Sequence, residues 1–314
     1  MLSLQPELIV EGSIIDSLRL VESIRELLKK AKVKTKNTAL GIAGHAAVII
    51  RRITVSEMSE EELEESKYFE AEQYVPFAVE ECSIDFQILG PSEEAGQMDV
   101  MLVAVKKDII NEYTAVVKEA GLIPVVVDVN ALALGNMYEI NYEIEPDRNI
   151  ALIDIGASTI NMNVLKGGLS VFTRDSSLGS NLHTEALRKE FKLSHEDAER
   201  LKRGDSVGGT SPEDAFSVMS SASEEVANEI ARSLDYFRSA AYHEEIAEVI
   251  ISGGGSLIKD FTRLLAEKTA LEVKSAEPFR NIHIPKKFDL SFIEENAPMA
   301  AVAVGLALRR PGDR

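Results

Sequence analysis

Residues 150–159, Ile-Ala-Leu-Ile-Asp-Ile-Gly-Ala-Ser-Thr, join an apolar run to a glycine and three small residues. The apolar run is short and β-branched, which is typical of a buried strand. Gly156 allows the backbone to turn sharply, so that the amides and hydroxyls that follow can face one anion. The stretch therefore predicts a phosphate-binding hairpin. Its candidate ligands are Asp154, Gly156, Ala157, Ser158 and Thr159.

A second glycine-rich turn, Ser-Gly-Gly-Gly-Ser at residues 252–256, lies nearer the end of the chain. It also comes off an apolar strand, residues 249–251. Taken alone, each of the two motifs is more often an ordinary β-turn than a binding site. Their order and their spacing together predict a nucleotide-binding cleft.

Composition excludes several classes of protein. The chain has 314 residues and a net charge of −18, which argues against a nucleic-acid groove and against broad contact with anionic lipid. Cys82 is the single cysteine, so no disulfide framework and no thiolate metal site are expected. The longest apolar stretch, residues 297–308, is too short to span a bilayer and predicts a buried helix. We expect a cytoplasmic protein that has no nucleic-acid partner and reaches the membrane only through partner proteins.

Periodicity predicts a chain of four subdomains. A helix at 17–30 precedes strands at 38–43 and 48–55, and clean alternation predicts a strand at 83–89. After Pro146 the pattern restarts with three close strands, followed by helices that include one at about 222–242 and one at 258–269. The predicted subdomains are a first core (1–45 and 130–149, with helix 297–308 returning to it), an α+β insert (46–129), a second core (150–180 and 246–296) and a helical subdomain (181–245).

This order of elements resembles half of an actin-like ATPase. The resemblance implies an α/β fold of two lobes around a nucleotide cleft, with a small α+β insert. It implies that the nucleoside lies against Gly253, Gly254, Gly255 and Ile258. It also implies a Glu-x-x-Lys pair over the nucleoside, which Glu199 and Lys202 match. Without the resemblance, these two residues form an ordinary i,i+3 ion pair.

Several segments resemble the PilM family of type IV pilus assembly proteins, and together they cover essentially the whole chain. They are residues 59–63, 70–77, 83–89, 120–122 before 127–128, 172–175 with Gly179, and 298–309. The resemblance implies a cytoplasmic scaffold, related to the division protein FtsA and peripheral to the inner membrane. It implies bound ATP and Mg²⁺, with Asp154 nearest the metal, and at most weak ATPase activity.

The same resemblance implies a protein partner. In the family, the cytoplasmic N-terminal tail of the inner-membrane protein PilN docks between the first core and the insert. Tyr74, Pro76 and Phe77 are candidates to shape that groove, because aromatic side chains supply large contact areas at low entropic cost. The alternative is that these three residues belong to the core of the insert. Other inner-membrane and motor components of the pilus machine are further expected partners.

One feature of the family is missing from the sequence. The resemblance implies a first phosphate hairpin, with another Asp-x-Gly-Ser-like motif, near the start of the first core. The chain begins Met-Leu-Ser-Leu-Gln-Pro at residues 1–6, which resembles a point after that hairpin. A misassigned start or a truncation is the favoured interpretation over a natural variant. Because one hairpin supplies only half of the backbone donors, we expect this chain to bind ATP weakly and to hydrolyse it poorly.

Two other classes of protein stay open at this point. A filament-forming division protein of the FtsA type would end in a membrane-binding amphipathic helix, whereas this chain ends Arg-Arg-Pro-Gly-Asp-Arg at residues 309–314. A small-molecule kinase of the same superfold would need a carboxylate general base aimed at a hydroxyl between the lobes. No motif for a sugar pocket stands out.

Overall fold

The structure is a computed structural model that describes residues 4, 8–10, 12–44, 48–240 and 244–313. Predicted features at the start of the chain and at the end of the long helix, residues 241–242, lie outside the described residues. The strands are β1 (Ile9–Val10), β2 (Ser13–Ile14), β3 (Asn37–Ile42), β4 (Val48–Ser56), β5 (Cys82–Pro91), β6 (Gln97–Lys106), β7 (Ile123–Val129), β8 (Asn149–Ile155), β9 (Ile160–Lys166), β10 (Leu169–Ser176), β11 (Glu248–Ser252) and β12 (Glu272–Ser275).

The described helices follow the predicted order. They are α1 (Ser17–Ala31), α2 (Glu60–Ala71), α3 (Lys107–Glu119), α4 (Asn130–Asn141), α5 (Asn181–Phe191), α6 (His195–Lys202), α7 (Phe216–Ala240), α8 (Phe261–Thr269), α9 (Leu290–Asn296) and α10 (Ala301–Leu308). Short 3₁₀ turns lie at Val79–Glu81, Gly254–Leu257 and Ala297–Ala300. Among the described residues, none of the helices combines the length and the apolar content that crossing a membrane requires.

A five-stranded sheet organises the second core. Its strand order is β10-β9-β8-β11-β12, with β8, β9 and β10 antiparallel and with β11 and β12 parallel to β8. Ile153 and Ile155 of β8 pack in one core cluster with α7 and α8. Ile150 and Leu152 pack in another cluster, with α4 and α10. Because both faces of the strand are covered, its sequence is apolar at nearly every position.

Strands β9 and β10 are joined by a two-residue hairpin turn. It consists of Gly167 and Gly168, with φ angles of +56° and +84°. Two successive positive φ angles are what a two-residue turn of type I′ requires, and glycine adopts them without strain.

The first core contains the parallel pair of β3 and β7. Helix α10 packs against α4 and β3, and α3 packs against β7 and α1. The insert is built on an antiparallel sheet of order β4-β6-β5, with α2 against β5. Strand β7 falls within the range 46–129 that sequence assigned to the insert, but its pairing places it in the sheet of the first core. The other subdomain limits stay predictions.

Three helix starts differ from the sequence expectation. The helix predicted at about 222–242 begins earlier, at Phe216. The helix predicted at 258–269 begins at Phe261, because Ile258 is extended and Asp260 has a φ of +63°. The helix predicted at 297–308 opens with a 3₁₀ turn before α10 begins at Ala301. At the start of α2, Ser59 and Glu62 form a reciprocal capping box.

Gly305 sets the distance between α10 and α4. A Cβ atom at this position would lie 1.8 Å from the carbonyl oxygen of Ala133, so that any side chain forces the two helices apart. We predict that Gly305→Ala lowers the free energy of unfolding by about 1–3 kcal/mol, the usual cost of overpacking. Urea denaturation measures this.

Gly135 of α4 is the matched control, because its Cβ would meet nothing closer than Asn163 Nδ2 at 3.5 Å. Gly135→Ala should leave stability unchanged or raise it, since alanine is the better helix former. Equal effects of the two substitutions would contradict the close-packing role of Gly305.

Candidate nucleotide site

The two glycine motifs meet at one edge of the five-stranded sheet. Strands β8 and β11 are parallel neighbours, with Asp154 opposite Ser252. The Ser252 hydroxyl donates a hydrogen bond to Asp154 Oδ1 at 2.8 Å. Both turns therefore start where parallel strands end, which is the usual place for a ligand in an open α/β sheet.

The hairpin between β8 and β9 presents backbone donors. The Gly156 amide donates to the Thr159 carbonyl at 2.9 Å and closes a tight loop. Among the described residues, no carbonyl accepts a hydrogen bond from the amides of Ala157, Ser158 or Thr159. Ala157 is exposed, and Ser158 and Thr159 are half-buried. Successive free amides of this kind suit an anion such as a phosphate.

The carbonyls of the same loop are held by the start of α5. The amides of Ser180 and Asn181 donate to the carbonyls of Gly156 and Ala157 at 2.9 and 2.8 Å. Gly179 allows this close approach, because a Cβ there would lie 2.5 Å from the Ala157 oxygen. In the sequence, Gly179 stands out only as part of a family segment, and no local pattern indicates this contact.

Asp154 is a half-buried carboxyl at the base of the hairpin. Burial raises its pKa above the ordinary value, while the hydrogen bond from Ser252 acts in the opposite direction. In the part of the chain that the structure describes, no three His, Cys, Asp or Glu side chains are grouped as a metal site.

The three glycines of the second turn have different environments. Gly253 has a φ of +81°, and its Cβ would lie 2.5 Å from the Ile155 oxygen and 2.9 Å from Asp154 Oδ1. A Cβ at Gly255 would lie 2.3 Å from Ile155 Cγ2. Gly254 is exposed, and its Cβ would make only an ordinary contact, 3.8 Å from Met299 Cε. The fold thus requires Gly253 and Gly255, whereas Gly254 is open to a ligand.

The segment before α10 supports this turn. The Gly253 amide donates to the Pro298 carbonyl at 3.0 Å, a contact that sequence reasoning did not find. Ile258 is buried in the core cluster that contains Val226 and Ile230 of α7. Its predicted contact with a nucleoside stays a prediction.

Glu199 and Lys202 form the ion pair that their spacing predicts. Lys202 Nζ lies 2.5 Å from Glu199 Oε1 and 2.8 Å from Thr184 Oγ1. Thr184 also donates to Glu199. Burial raises the pKa of Glu199, but the hydrogen bonds from Lys202 and Thr184 outweigh it and lower the pKa overall. Thr184 lies in the first turn of α5, so one helix contacts both the hairpin and the ion pair.

His183 is fully buried beside this pair. Its Nε2 lies 3.0 Å from the hydroxyl oxygen of Ser223 on α7. Burial, together with the nearby positive charge of Lys202, lowers the pKa of His183 to about 4. The imidazole is therefore neutral at pH 7 and joins α5 to α7 inside the helical subdomain.

The three predicted partner-binding residues lie at the margin of the insert. Tyr74 and Phe77 are half-buried and pack against the insert core, whereas Pro76 is exposed. The Lys106 ammonium lies 4.1 Å from the centroid of the Phe77 ring. Tyr74 and Phe77 pack in a hydrophobic cluster separate from the one that contains Ile155 and Ile258, so the structure does not bring them to the glycine turns.

Comparison with solved structures defines the class of protein. The chain is similar to the PilM-PilN type IV pilus biogenesis complex at 30% identity and a TM-score of 0.84, over 98% of this chain and 89% of that chain. It is also similar to ethanolamine utilization protein EutJ from Carboxydothermus hydrogenoformans and to MreB5 of Spiroplasma citri bound to ADP. Both share 15% identity over 96% of this chain and 77% of theirs, with TM-scores of 0.56 and 0.54. The fold is that of the actin-like ATPases, which confirms the predicted fold class.

The family follows from the sequence match. A family model described as type IV pilus assembly protein PilM matches residues 1–311. The chain belongs to this family, as the motifs in the sequence predicted.

The buried imidazole generates a prediction about pH. The unfolded-state pKa of about 6.5 exceeds the folded value of about 4, so the unfolded state binds more protons between these two pH values. Stability therefore falls as the pH falls through this window. In His183→Gln this component is absent, and the loss of stability between pH 6.5 and pH 4 should shrink by about 3 kcal/mol.

Urea denaturation at a series of pH values measures the difference between the two proteins. His195→Gln, which removes a half-buried histidine at the start of α6 without touching the contact between His183 and Ser223, is the comparison variant. An unchanged profile in His183→Gln would contradict a neutral buried imidazole.

Proposed function

We propose that this chain is an ATP-binding scaffold of type IV pilus assembly that binds the cytoplasmic N-terminal tail of PilN. It would thereby link the cytoplasmic and inner-membrane parts of the pilus machine. The proposal rests on the structural similarity between this chain and the PilM-PilN complex, which extends over 98% of this chain. In this proposal the protein is cytoplasmic, lies at the inner membrane through its partners and also contacts other inner-membrane and motor components.

The hairpin supplies the proposed phosphate site. The free amides of Ala157, Ser158 and Thr159 would donate to phosphate oxygens, and Gly156 keeps the loop tight. Asp154 would supply one oxygen ligand to Mg²⁺, which commonly takes its remaining ligands from phosphates and water. We propose at most weak ATPase activity.

The glycine turn and the helical subdomain supply the proposed nucleoside site. Gly254 is the glycine whose missing side chain leaves room for a ligand, because its neighbours have structural roles. Glu199 and Lys202 would contact the nucleoside from α6, with Thr184 holding both side chains in place. Ile258 would support the turn from the core.

The insert supplies the proposed contact with PilN. Phe77 and Tyr74 are only half-buried, and Pro76 is exposed between them. Half-buried aromatic side chains next to a well-packed core are suited to anchor an extended segment. Neither the filament nor the kinase alternative gains a specific observation from the described residues.

Gly254→Val tests the nucleoside site. A branched side chain at this exposed position should abolish ATP binding, measured by isothermal titration with ATP and Mg²⁺, because it would occupy the space that the nucleoside needs. Thermal unfolding should be nearly unchanged, since the nearest atom to a Cβ is at 3.8 Å.

Gly255→Ala is the contrasting variant. It should lower stability, because its Cβ would clash with Ile155 at 2.3 Å. The site assignment is wrong if Gly254→Val binds ATP as the unsubstituted protein does.

Phe77→Ala tests the partner site. We predict that it weakens binding of a synthetic PilN tail peptide about tenfold or more, as truncation of an aromatic anchor commonly does. Fluorescence anisotropy of a labelled peptide measures the dissociation constant. Phe69→Ala is the control, because Phe69 is an exposed aromatic residue on α2 of the same insert, 69% accessible. Equal affinities of Phe77→Ala and the unsubstituted protein, at unchanged thermal stability, would remove Phe77 from the groove.

A further inference from the structure

A row of polar residues crosses the five-stranded sheet at the edge that carries the hairpin. Strand pairing sets Ser252 opposite Asp154, Asp154 opposite Asn161, and Asn161 opposite Asp175. Asn161 is 2% exposed, and its amide nitrogen donates to Asp175 Oδ1 at 2.8 Å. The row therefore begins at the glycine turn, passes the base of the phosphate hairpin and ends on β10.

Asp175 also contacts Gly44, which lies in the segment between β3 and β4. Its second oxygen, Oδ2, accepts a hydrogen bond from the backbone amide of Gly44 at 3.1 Å. Gly44 is buried and has a φ of +117°, a conformation that favours glycine. The carbonyl of Gly44 in turn accepts from the amide of Val48, the first residue of β4, at 3.0 Å.

The carboxylate thus joins two parts of the molecule that the main chain separates. One oxygen is held by the sheet that carries the hairpin, and the other is held by the residue that leads into the insert. Hydrogen bonds to a charged acceptor are stronger than those between neutral groups. Strand β10 also lies against β4. The hydrogen bond from Gly44 to Asp175 therefore joins β10 to the segment that precedes a strand already packed against it.

We propose that Asp175 is a positioning residue that couples the phosphate hairpin to the insert. A ligand that draws the hairpin amides together shifts the start of β9, and with it Asn161. Asn161 moves the Asp175 carboxylate, which moves Gly44 and the first residues of β4. This inference rests on the proposed nucleotide site and adds to it a route by which the bound nucleotide alters the partner-binding insert.

Hydrogen exchange of the full chain, followed by mass spectrometry with and without saturating ATP and Mg²⁺, tests the coupling. In the unsubstituted protein, ATP should slow exchange in peptides that cover 154–160 and should also change exchange in peptides that cover 48–56. In Asp175→Ala the first effect should remain and the second should be lost. Asp175→Asn, which keeps the shape of the side chain, should retain part of the second effect.

Two controls separate coupling from general loosening. Asp235→Ala removes an aspartate that pairs with Arg238 on the surface of α7, and both effects should persist in it. Gly44→Ala should behave like Asp175→Ala. Gly96→Ala, at a glycine of the insert with a φ of +78°, introduces a similar strain away from Asp175 and should leave the coupling intact.

Each result decides a separate question. If 48–56 responds to ATP in Asp175→Ala as in the unsubstituted protein, the coupling role of Asp175 is wrong. If 154–160 is protected in the unsubstituted protein but 48–56 never responds, the coupling is wrong and the nucleotide site stands. If ATP protects neither segment, the proposed nucleotide site is wrong, and the coupling to it is overturned as well.

Discussion

The parallel pairing of β8 with β11 is the contact on which the candidate site depends. Its register sets Asp154 opposite Ser252, so that the two glycine turns leave the sheet side by side. A shift by one residue would turn every side chain of the strand to the other face. Both faces are covered by helices, with Ile153 in one core cluster and Leu152 in the other. Core packing on two sides therefore fixes the geometry of a polar edge.

Local features of this fold follow from the sequence alone. The hairpin at Gly167 and Gly168, the capping box of α2 and the alternation in β5 each depend on residues that are near one another in the chain. The physical cause of each pattern lies in the same few residues, since a turn needs particular φ angles and a helix start needs a capping acceptor. The long amphipathic helix α7 is of the same kind.

Long-range contacts were beyond the reach of the sequence. Strand β7 lies within the range that sequence assigned to the insert, yet it pairs with β3 from before the insert, and no periodicity encodes that choice. The hydrogen bond from Gly44 to Asp175 joins residues that are 131 positions apart. The role of Gly179 depends on a backbone that approaches from β8. In each case the cause is a neighbour in space, which a single sequence does not reveal.

The environment of Asp154 bears on how a nucleotide would be held. Burial raises its pKa because a charged carboxylate loses hydration, and the Ser252 hydroxyl offsets only part of that cost. A bound cation favours the charged form and lowers the pKa again. In the proposed complex, the metal brought by the phosphates would thus balance the charge of Asp154, while the hairpin amides would donate hydrogen bonds to the phosphate oxygens. The metal ion and the nucleotide are then expected to bind together. The ion offsets the lost hydration of the Asp154 carboxylate, and the phosphates supply the remaining ligands of the ion.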